Sequence, residues 1–249
     1  EKIKTAQELN LPQTIIDMVD ADRGLILVTG PTGSGKSTTL AAMIHHINST
    51  RECHILTVED PIEFVHPNLK SLVNQREVGS HTKTFANALK AALREDPDII
   101  LVGELRDHET ISLALTAAET GHLVFGTLHT NSAVKTMDRI IDVFPGEQQS
   151  QIRTKLAESL RGIVAQSLFT KADKMGRVAA FEILKGTKAV SNLIREGKNH
   201  QIPSIMQTSA AQGMILFEKY LEDLLRKGLV TAADVKSFLG KDDTGGKAA

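Results

Sequence analysis

A glycine-rich run that ends in a lysine and a serine is the clearest chemical feature of the sequence. Residues 30–37, Gly-Pro-Thr-Gly-Ser-Gly-Lys-Ser, match the pattern G-x-x-x-x-G-K-[ST]. Glycines let the backbone wrap closely around phosphates, and the helix expected to follow adds its positive N-terminal end. We expect Lys36 to reach the β- and γ-phosphates of a nucleotide and Ser37 to bind Mg²⁺. The predicted nucleotide contacts are Gly30, Pro31, Thr32, Gly33, Ser34, Gly35, Lys36, Ser37 and Thr38.

Glu104 is the first candidate for a group that orients or deprotonates water, which hydrolysis needs in addition to a phosphate loop. It comes just after the apolar run 99–102, at the carboxyl end where open α/β sheets bind their ligands. Gly103 stands where P-loop ATPases usually carry a metal-associated aspartate. The alternative is a surface carboxylate paired with Arg106.

Glu59 and Asp60 form a second acidic pair, which ends the predicted strand 53–58. Because that strand would point its carboxyl end at the same phosphates, Glu59 is a second catalytic candidate. The alternative is a cap or turn before Pro61. Three arginines lie close in sequence to these acids: Arg76, Arg94 and Arg106. Each is a candidate to neutralise charge in the transition state, from the same or a neighbouring subunit. The alternative for each is a structural ion pair.

Two histidines, His122 and His129, flank an apolar stretch of strand length. In a regular strand they would lie roughly 23 Å apart, so they cannot both touch one γ-phosphate. We expect His129, at the carboxyl end, on the nucleotide side, and His122 toward a neighbouring loop or subunit. A purely structural role is the alternative for both. No third ligand nearby would complete a metal site with them.

Elements that could position these residues alternate along the chain. Strand-like runs at 24–29, 53–58, 99–102 and 122–127 alternate with helical patterns at 36–48, 84–95 and 107–120, which indicates a parallel sheet covered on both faces. Residues 163–169 and 177–184 predict a further strand pair. The predicted organisation is an α/β core over 1–184 with a residual linker at 1–12, a helical C-terminal region over 185–239, and a disordered tail over 240–249.

Composition narrows the class of protein. The 249 residues carry 29 Lys+Arg and 30 Asp+Glu, a net charge of −1, so no basic field indicates nucleic acid. The one cysteine, Cys53, excludes an internal disulfide and a Cys₄ zinc site. Apolar runs are too short to span a bilayer and no signal peptide opens the chain, so we expect the cytoplasm. The start at Glu1 suggests a piece of a longer protein, with a processed start or a missing leader as alternatives.

Four segments occur in a familiar order: GPTGSGKST, LTVEDPIEF, REDPDIILVGELRD and TAAETGHLVFGTLHTNSA. They resemble the Walker A, Asp box, atypical Walker B and His box of the secretion ATPase superfamily of type II and type IV systems. Over residues 9–239 the chain is most similar to the PilT family of pilus retraction ATPases. The resemblance implies a RecA-like P-loop core, Glu104 as the catalytic glutamate with a water-mediated role at the metal, and a His-box pair of His122 and His129.

Two features favour the retraction subgroup. Assembly and secretion members commonly carry a four-cysteine zinc insertion, which a chain with one cysteine lacks. The retraction motif AIRNLIRE appears at 189–196 as AVSNLIRE. Val190 and Ser191 depart from it, and the loss of arginine at Ser191 leaves a PilU-type accessory paralogue open. The family's N-terminal PAS-like domain has no counterpart in these residues.

The resemblance implies an ATP- and Mg-dependent homo-hexamer that powers type IV pilus retraction and twitching motility. It would work in the cytoplasm, peripheral at the inner membrane, on a pilus platform protein and with a possible retraction paralogue. The alternatives are a pilus-assembly or type II secretion motor, a regulatory subunit that binds ATP without hydrolysing it, and a RecA-like nucleic-acid translocase. Nucleic acid is not expected as a partner, since the chain has no Trp and one Tyr.

Overall fold

A seven-stranded sheet forms the centre of the molecule. The computed structural model describes residues 2–243. The strands lie in the order β3-β2-β4-β5-β1-β6-β7. All neighbours are parallel except β6 and β7. The strands are β1 Gly24–Thr29, β2 His54–Glu59, β3 Leu72–Glu77, β4 Ile99–Val102, β5 Leu123–Leu128, β6 Leu160–Thr170 and β7 Arg177–Lys185.

Ten α-helices connect and cover these strands within residues 2–243. They are α1 Gln13–Val19, α2 Lys36–Thr50, α3 Phe85–Ala92, α4 His108–Glu119, α5 Ala133–Asp142, α6 Gly146–Ser159, α7 Lys188–Arg195, α8 Ile202–Thr208, α9 Phe217–Arg226 and α10 Ala232–Asp243. Five helices follow a residue whose side chain accepts a backbone N–H bond, which satisfies one of the free donors of the first turn: Thr84, Asp107, Ser132, Thr187 and Thr231. None of the helices within the described residues has the length and apolar character needed to cross a bilayer.

Both faces of the sheet are buried, as the apolar runs predict. In β4, Ile100 and Val102 join one core cluster, with α4 to α8, while Ile99 and Leu101 join the other, with α1 and α2. Alternate residues of a strand point to opposite faces, so a strand buried on both faces must be apolar throughout. The predicted α/β class with a mainly parallel sheet is therefore confirmed.

The C-terminal helices pack directly on the sheet. Val190 and Ile194 of α7 belong to the core cluster under α4 and α6, and Phe217 of α9 packs with Phe169 of β6. The structure corrects one boundary, since α10 continues to Asp243 and residues 240–243 are helical. Thr231 caps the start of this helix, because Asp234 N donates to Thr231 Oγ1. The rest of the predicted tail lies outside the described residues.

The topology gathers the chemically interesting ends at one edge. β2, β4, β5 and β1 are consecutive parallel neighbours, so their carboxyl ends lie side by side. At these ends lie the acidic pair, of which Glu59 is the last residue of β2, together with Glu104, His129 and the glycine-rich loop. The order of the strands thus brings together segments that are about a hundred positions apart in the chain.

Candidate nucleotide-binding site

The glycine-rich loop connects β1 to α2 and depends on glycine at its two ends. Gly30 has a φ of +146° and Gly35 a φ of +88°, a region that favours residues without a Cβ. A Cβ at Gly30 would lie 2.3 Å from the carbonyl oxygen of Gln166. The loop therefore lies tightly against β6 on one side and leaves its other side open.

Lys36 and Ser37, the first residues of α2, both face charged or polar partners. Lys36 Nζ donates to Gly30 O at 2.8 Å and to Pro31 O at 3.0 Å. Burial lowers the pKa of Lys36, and the nearby carboxylates of Glu104 and Glu63 oppose that shift. Ser37 Oγ donates to Glu63 Oε1 at 2.7 Å. The ammonium group is thus held across the loop, and the hydroxyl lies within reach of a carboxylate.

A cavity of about 530 Å³ opens between this loop and the ends of the neighbouring strands. That volume suits a nucleotide-sized ligand. The predicted site residues that line it are Thr32, Gly33, Gly35, Lys36, Ser37, Thr38, Glu59, Glu104 and His129. Of the other predicted residues, Gly30, Pro31 and Ser34 belong to the loop without lining the cavity, and His122 and the three arginines are not among its lining residues.

Glu104 is held by two cationic or polar partners. Its Oε2 lies 2.5 Å from Arg106 Nη2, and its Oε1 lies 3.2 Å from His129 Nε2. Burial raises the pKa of Glu104, but the hydrogen bonds and charges of Arg106 and His129 outweigh burial, so the net shift is downward. The ion pair with Arg106 therefore exists, and the same carboxylate also lines the cavity.

Glu59 lies in the same cavity in a different environment. Its Oε1 accepts from Thr57 Oγ1 at 2.6 Å and from Gln75 Nε2 at 3.1 Å. Burial raises the pKa of Glu59, and the hydrogen bonds from Thr57 and Gln75 only partly oppose it. The two acids thus differ, since one is fixed as a carboxylate by Arg106 and the other is more readily protonated.

The remaining predicted residues lie farther from the loop. His122 Nδ1 is 3.0 Å from Ala117 O, at the amino end of β5. Arg76 pairs with Glu95 at 2.6 Å, and Arg94 is exposed. Arg106 and Asp60 line a second, smaller cavity. Asp60 also lines the cavity beside the glycine-rich loop, so the two cavities are neighbours.

Several lining residues were not predicted from the sequence. Glu63 follows β2 in an irregular segment, and its contact with Ser37 spans 26 positions. Leu168 and Arg177, from β6 and β7, also line the cavity. The strand-like pattern located β6 and β7, but no local signal showed that these two strands lie next to the loop.

The donor set of the cavity fits a magnesium ion that arrives with phosphates. Within residues 2–243, no group of three or more His, Cys, Asp or Glu side chains could hold a metal by itself. Mg²⁺ usually takes only one or two protein oxygens beside water and phosphate. The hydroxyl of Ser37 with the carboxylates of Glu63 and Glu104 around Lys36 supplies hard oxygen ligands of that kind.

Ser191, where the retraction motif has arginine, faces inward. Its Oγ donates to Ala157 O at 2.7 Å, which ties α7 to α6. The serine therefore serves a contact within the chain, while Val190 and Ile194 of the same segment are buried in the core and Asn192 and Arg195 face the solvent.

Comparisons with known proteins agree with this geometry. Residues 4–236 match the family model described as type II/IV secretion system protein. The chain is 58% identical over 228 residues to a twitching motility protein of Neisseria gonorrhoeae, covering 92% of the chain and 61% of that relative. It is 57% identical over 235 residues to the type IV pilus retraction ATPase PilT of Pseudomonas aeruginosa, covering 94% of the chain and 68% of that relative.

A solved structure gives the same picture. The crystal structure of the pilus retraction motor PilT with bound ADP matches with a TM-score of 0.89 and 52% identity, and it covers 95% of the chain and 67% of that structure. The chain thus spans 61% of the Neisseria gonorrhoeae relative and 68% of the Pseudomonas aeruginosa one.

Proposed function

Because the chain belongs to the type II/IV secretion system protein family and, within it, to the PilT family, we propose that it is the ATP-hydrolysing part of a type IV pilus retraction motor. One observation carries the proposal. Lys36 and Ser37 line the same cavity as Glu104 and His129, and the carboxylate of Glu104 is close enough to Lys36 to affect its pKa. Phosphate-binding groups and a candidate water-orienting pair thus share one site.

The proposed roles follow from this arrangement. The loop and Lys36 bind the β- and γ-phosphates, and Glu104 orients or deprotonates the attacking water. Since Arg106 and His129 lower the pKa of Glu104, it is a carboxylate at neutral pH and can accept a hydrogen bond from the attacking water. His129, beside Glu104, contacts the γ-phosphate or that water. Glu59 is the alternative acid.

Magnesium is proposed as the metal of this site. Ser37 would bind it directly and Glu104 through water. A metal held there with the nucleotide would supply positive charge against the negative charge of the phosphates. Ser37 Oγ now donates to Glu63, so we expect Glu63 to release that hydroxyl when the nucleotide binds.

The assembly and its partners are also proposals. We propose a homo-hexamer in the cytoplasm, peripheral at the inner membrane, that acts on a pilus platform protein. The division into a core over 1–184 and a helical region over 185–239 is proposed as its functional organisation. Arg106 is 62% exposed, so it is available to contact a neighbouring subunit. A second candidate is an accessory paralogue of the motor. Serine at position 191 favours it, because the retraction motif has arginine at that position.

Two experiments test the function. Purified protein should bind ADP and release phosphate from ATP only with a divalent metal present, and lack of both activities would refute the enzymatic proposal.

Deletion of the gene should give hyperpiliated cells that do not twitch. Bald cells would favour an assembly motor instead, and normal piliation with weakened retraction would favour the accessory paralogue. Complementation with the wild-type chain and the Lys36→Ala variant assigns the phenotype to this site.

A further inference from the structure

We propose that Gln166 is a positioning residue, whose buried side chain holds the glycine-rich loop in its phosphate-binding shape from behind. Gln166 lies on β6, is 3% exposed, and is not among the residues that line the cavity. It would therefore act on the nucleotide only through the loop. The inference rests on the proposed function in one respect, that the loop binds a nucleotide.

The register of two parallel strands places Gln166 behind the loop. Thr29, the last residue of β1, pairs with Ala165 of β6. The next residues along each strand are Gly30 and Gln166, so the loop begins beside this glutamine. A Cβ at Gly30 would approach the Gln166 carbonyl to 2.3 Å, and only glycine allows the two backbones to lie this close.

The side chain of Gln166 makes two further contacts, one with the loop and one with α2. Its Nε2 donates to Ser34 O at 2.7 Å, and its Oε1 accepts from Thr39 Oγ1 at 2.7 Å. Ser34 and Thr39 are themselves 3% and 2% exposed. A Cβ at Gly35 would lie 2.9 Å from Nε2. One buried amide thus contacts the middle of the loop, its last glycine and the first turn of the helix.

The bond to Ser34 O determines where the next amide points. In a planar trans peptide the C=O and the N–H point in opposite directions. Because Gln166 holds the Ser34 carbonyl at the back of the loop, the N–H of Gly35 points to the front, and Gly35 lines the cavity. Loops that bind phosphate do so through N–H groups arranged in this way. Without the glutamine, the carbonyl is free to turn toward the phosphates and repel them.

Two substitutions separate the donor from the packing. Gln166→Leu replaces the amide with an apolar side chain of similar size and removes both hydrogen bonds. Gln166→Glu keeps the size and the acceptor for Thr39, and in its ionised form it has no donor for Ser34 O. Gln151→Leu, at an exposed position of α6, is the matched control. Thermal melting of all three variants shows whether they are folded at the assay temperature.

The first measurement is ADP affinity by calorimetry, with KM and kcat for ATP. The net worth of one hydrogen bond corresponds to a factor of about three to ten in binding. We expect both Gln166 variants to bind ADP about tenfold more weakly, with a similar rise in KM and a smaller change in kcat, while Gln151→Leu matches the wild type. Folded Gln166 variants with wild-type ADP affinity would overturn the proposal.

The second measurement needs no nucleotide. Hydrogen exchange in the nucleotide-free protein should be faster for peptides that cover residues 30–36 in both Gln166 variants than in Gln151→Leu. If the wild type fails to bind ADP, the proposed function is wrong. Hydrogen exchange alone then decides whether Gln166 holds the loop in place. Unchanged exchange in this loop would refute it in either case.

Discussion

Glu104 and His129 contact each other across the ends of two neighbouring strands, with His129 Nε2 3.2 Å from Glu104 Oε1. Glu104 follows β4 and His129 follows β5, and these strands are paired in parallel. A second link lies beside the first, since the hydroxyl of Thr127 donates to the carbonyl of Gly103. The two segments that carry the candidate catalytic groups are therefore joined by side chains as well as by the sheet.

Removal of the lysine that spans the loop should abolish nucleotide binding. Lys36 is the lysine that lines the cavity among the described residues, so Lys36→Ala leaves no ammonium group at the β- and γ-phosphates. We expect loss of tight Mg-ATP binding and of turnover, measured by calorimetry and phosphate release. Lys219→Ala, which removes an exposed lysine paired with Glu222, is the control and should behave as the wild type. Unchanged affinity and turnover in Lys36→Ala would show that the loop does not bind the nucleotide.

Substitution of the proposed base should separate binding from chemistry. Glu104→Gln keeps the size of the side chain and removes the carboxylate, so hydrolysis should fall by at least roughly 100-fold while ADP affinity stays near wild type. Glu59→Gln is the comparison, because burial raises the pKa of this second acid. If Glu59→Gln stops hydrolysis and Glu104→Gln does not, then Glu59 is the catalytic acid.

The strands β1, β4 and β5, which precede the loop, Glu104 and His129, were predictable because they are largely apolar. β1, β4 and β5 are buried at every position, and such runs are visible in a sequence. The strand β3 was not predicted, because its sequence LVNQRE is polar and partly exposed at the sheet edge. The helices α5 and α6 were not assigned either. In α6 only four positions are buried, so its apolar spacing is weak.

The site was predicted where local motifs define it and missed where distant segments meet. The loop, Glu104 and His129 each follow a parallel strand. Open α/β sheets bind their ligands at the carboxyl ends of such strands, which predicts that these residues lie together. Gln166 is separated from Thr39 by 127 positions and from Ser34 by 132. Only the pairing of β1 with β6 brings it behind the loop, and no spacing in the sequence encodes that pairing.

Acid should destabilise the protein through a buried histidine. Burial, with a smaller contribution from His45, lowers the pKa of His66 to about 4. An unfolded chain has a histidine pKa of about 6.5, so between these values the unfolded state binds more protons and stability falls as the pH falls. Protonation of His66 in the unfolded chain should lower the free energy of unfolding by about 2 kcal/mol between pH 7 and pH 5. Urea unfolding at both pH values measures it.

His66→Gln removes this titration, so that variant should lose less stability than the wild type over the same pH range. His200→Gln changes an exposed histidine and serves as the control. An equal loss of stability in the wild type and in His66→Gln would contradict the assignment of this acid sensitivity to His66.

Substitution of the two histidines of the His box, His129 and His122, should impair different properties of the protein. His129 lines the cavity beside Glu104, whereas His122 is bound to Ala117 O at the other end of β5. We expect His129→Ala to lower ATP turnover directly. His122→Ala should leave ADP affinity near wild type and damage pilus retraction more strongly, because its end of the strand faces away from the loop. Phosphate release, ADP calorimetry and twitching on agar measure the three properties in each variant. Equal defects of both variants in binding and motility would contradict the separation, as would a nucleotide-bound structure with His122 at the phosphates and His129 remote from them.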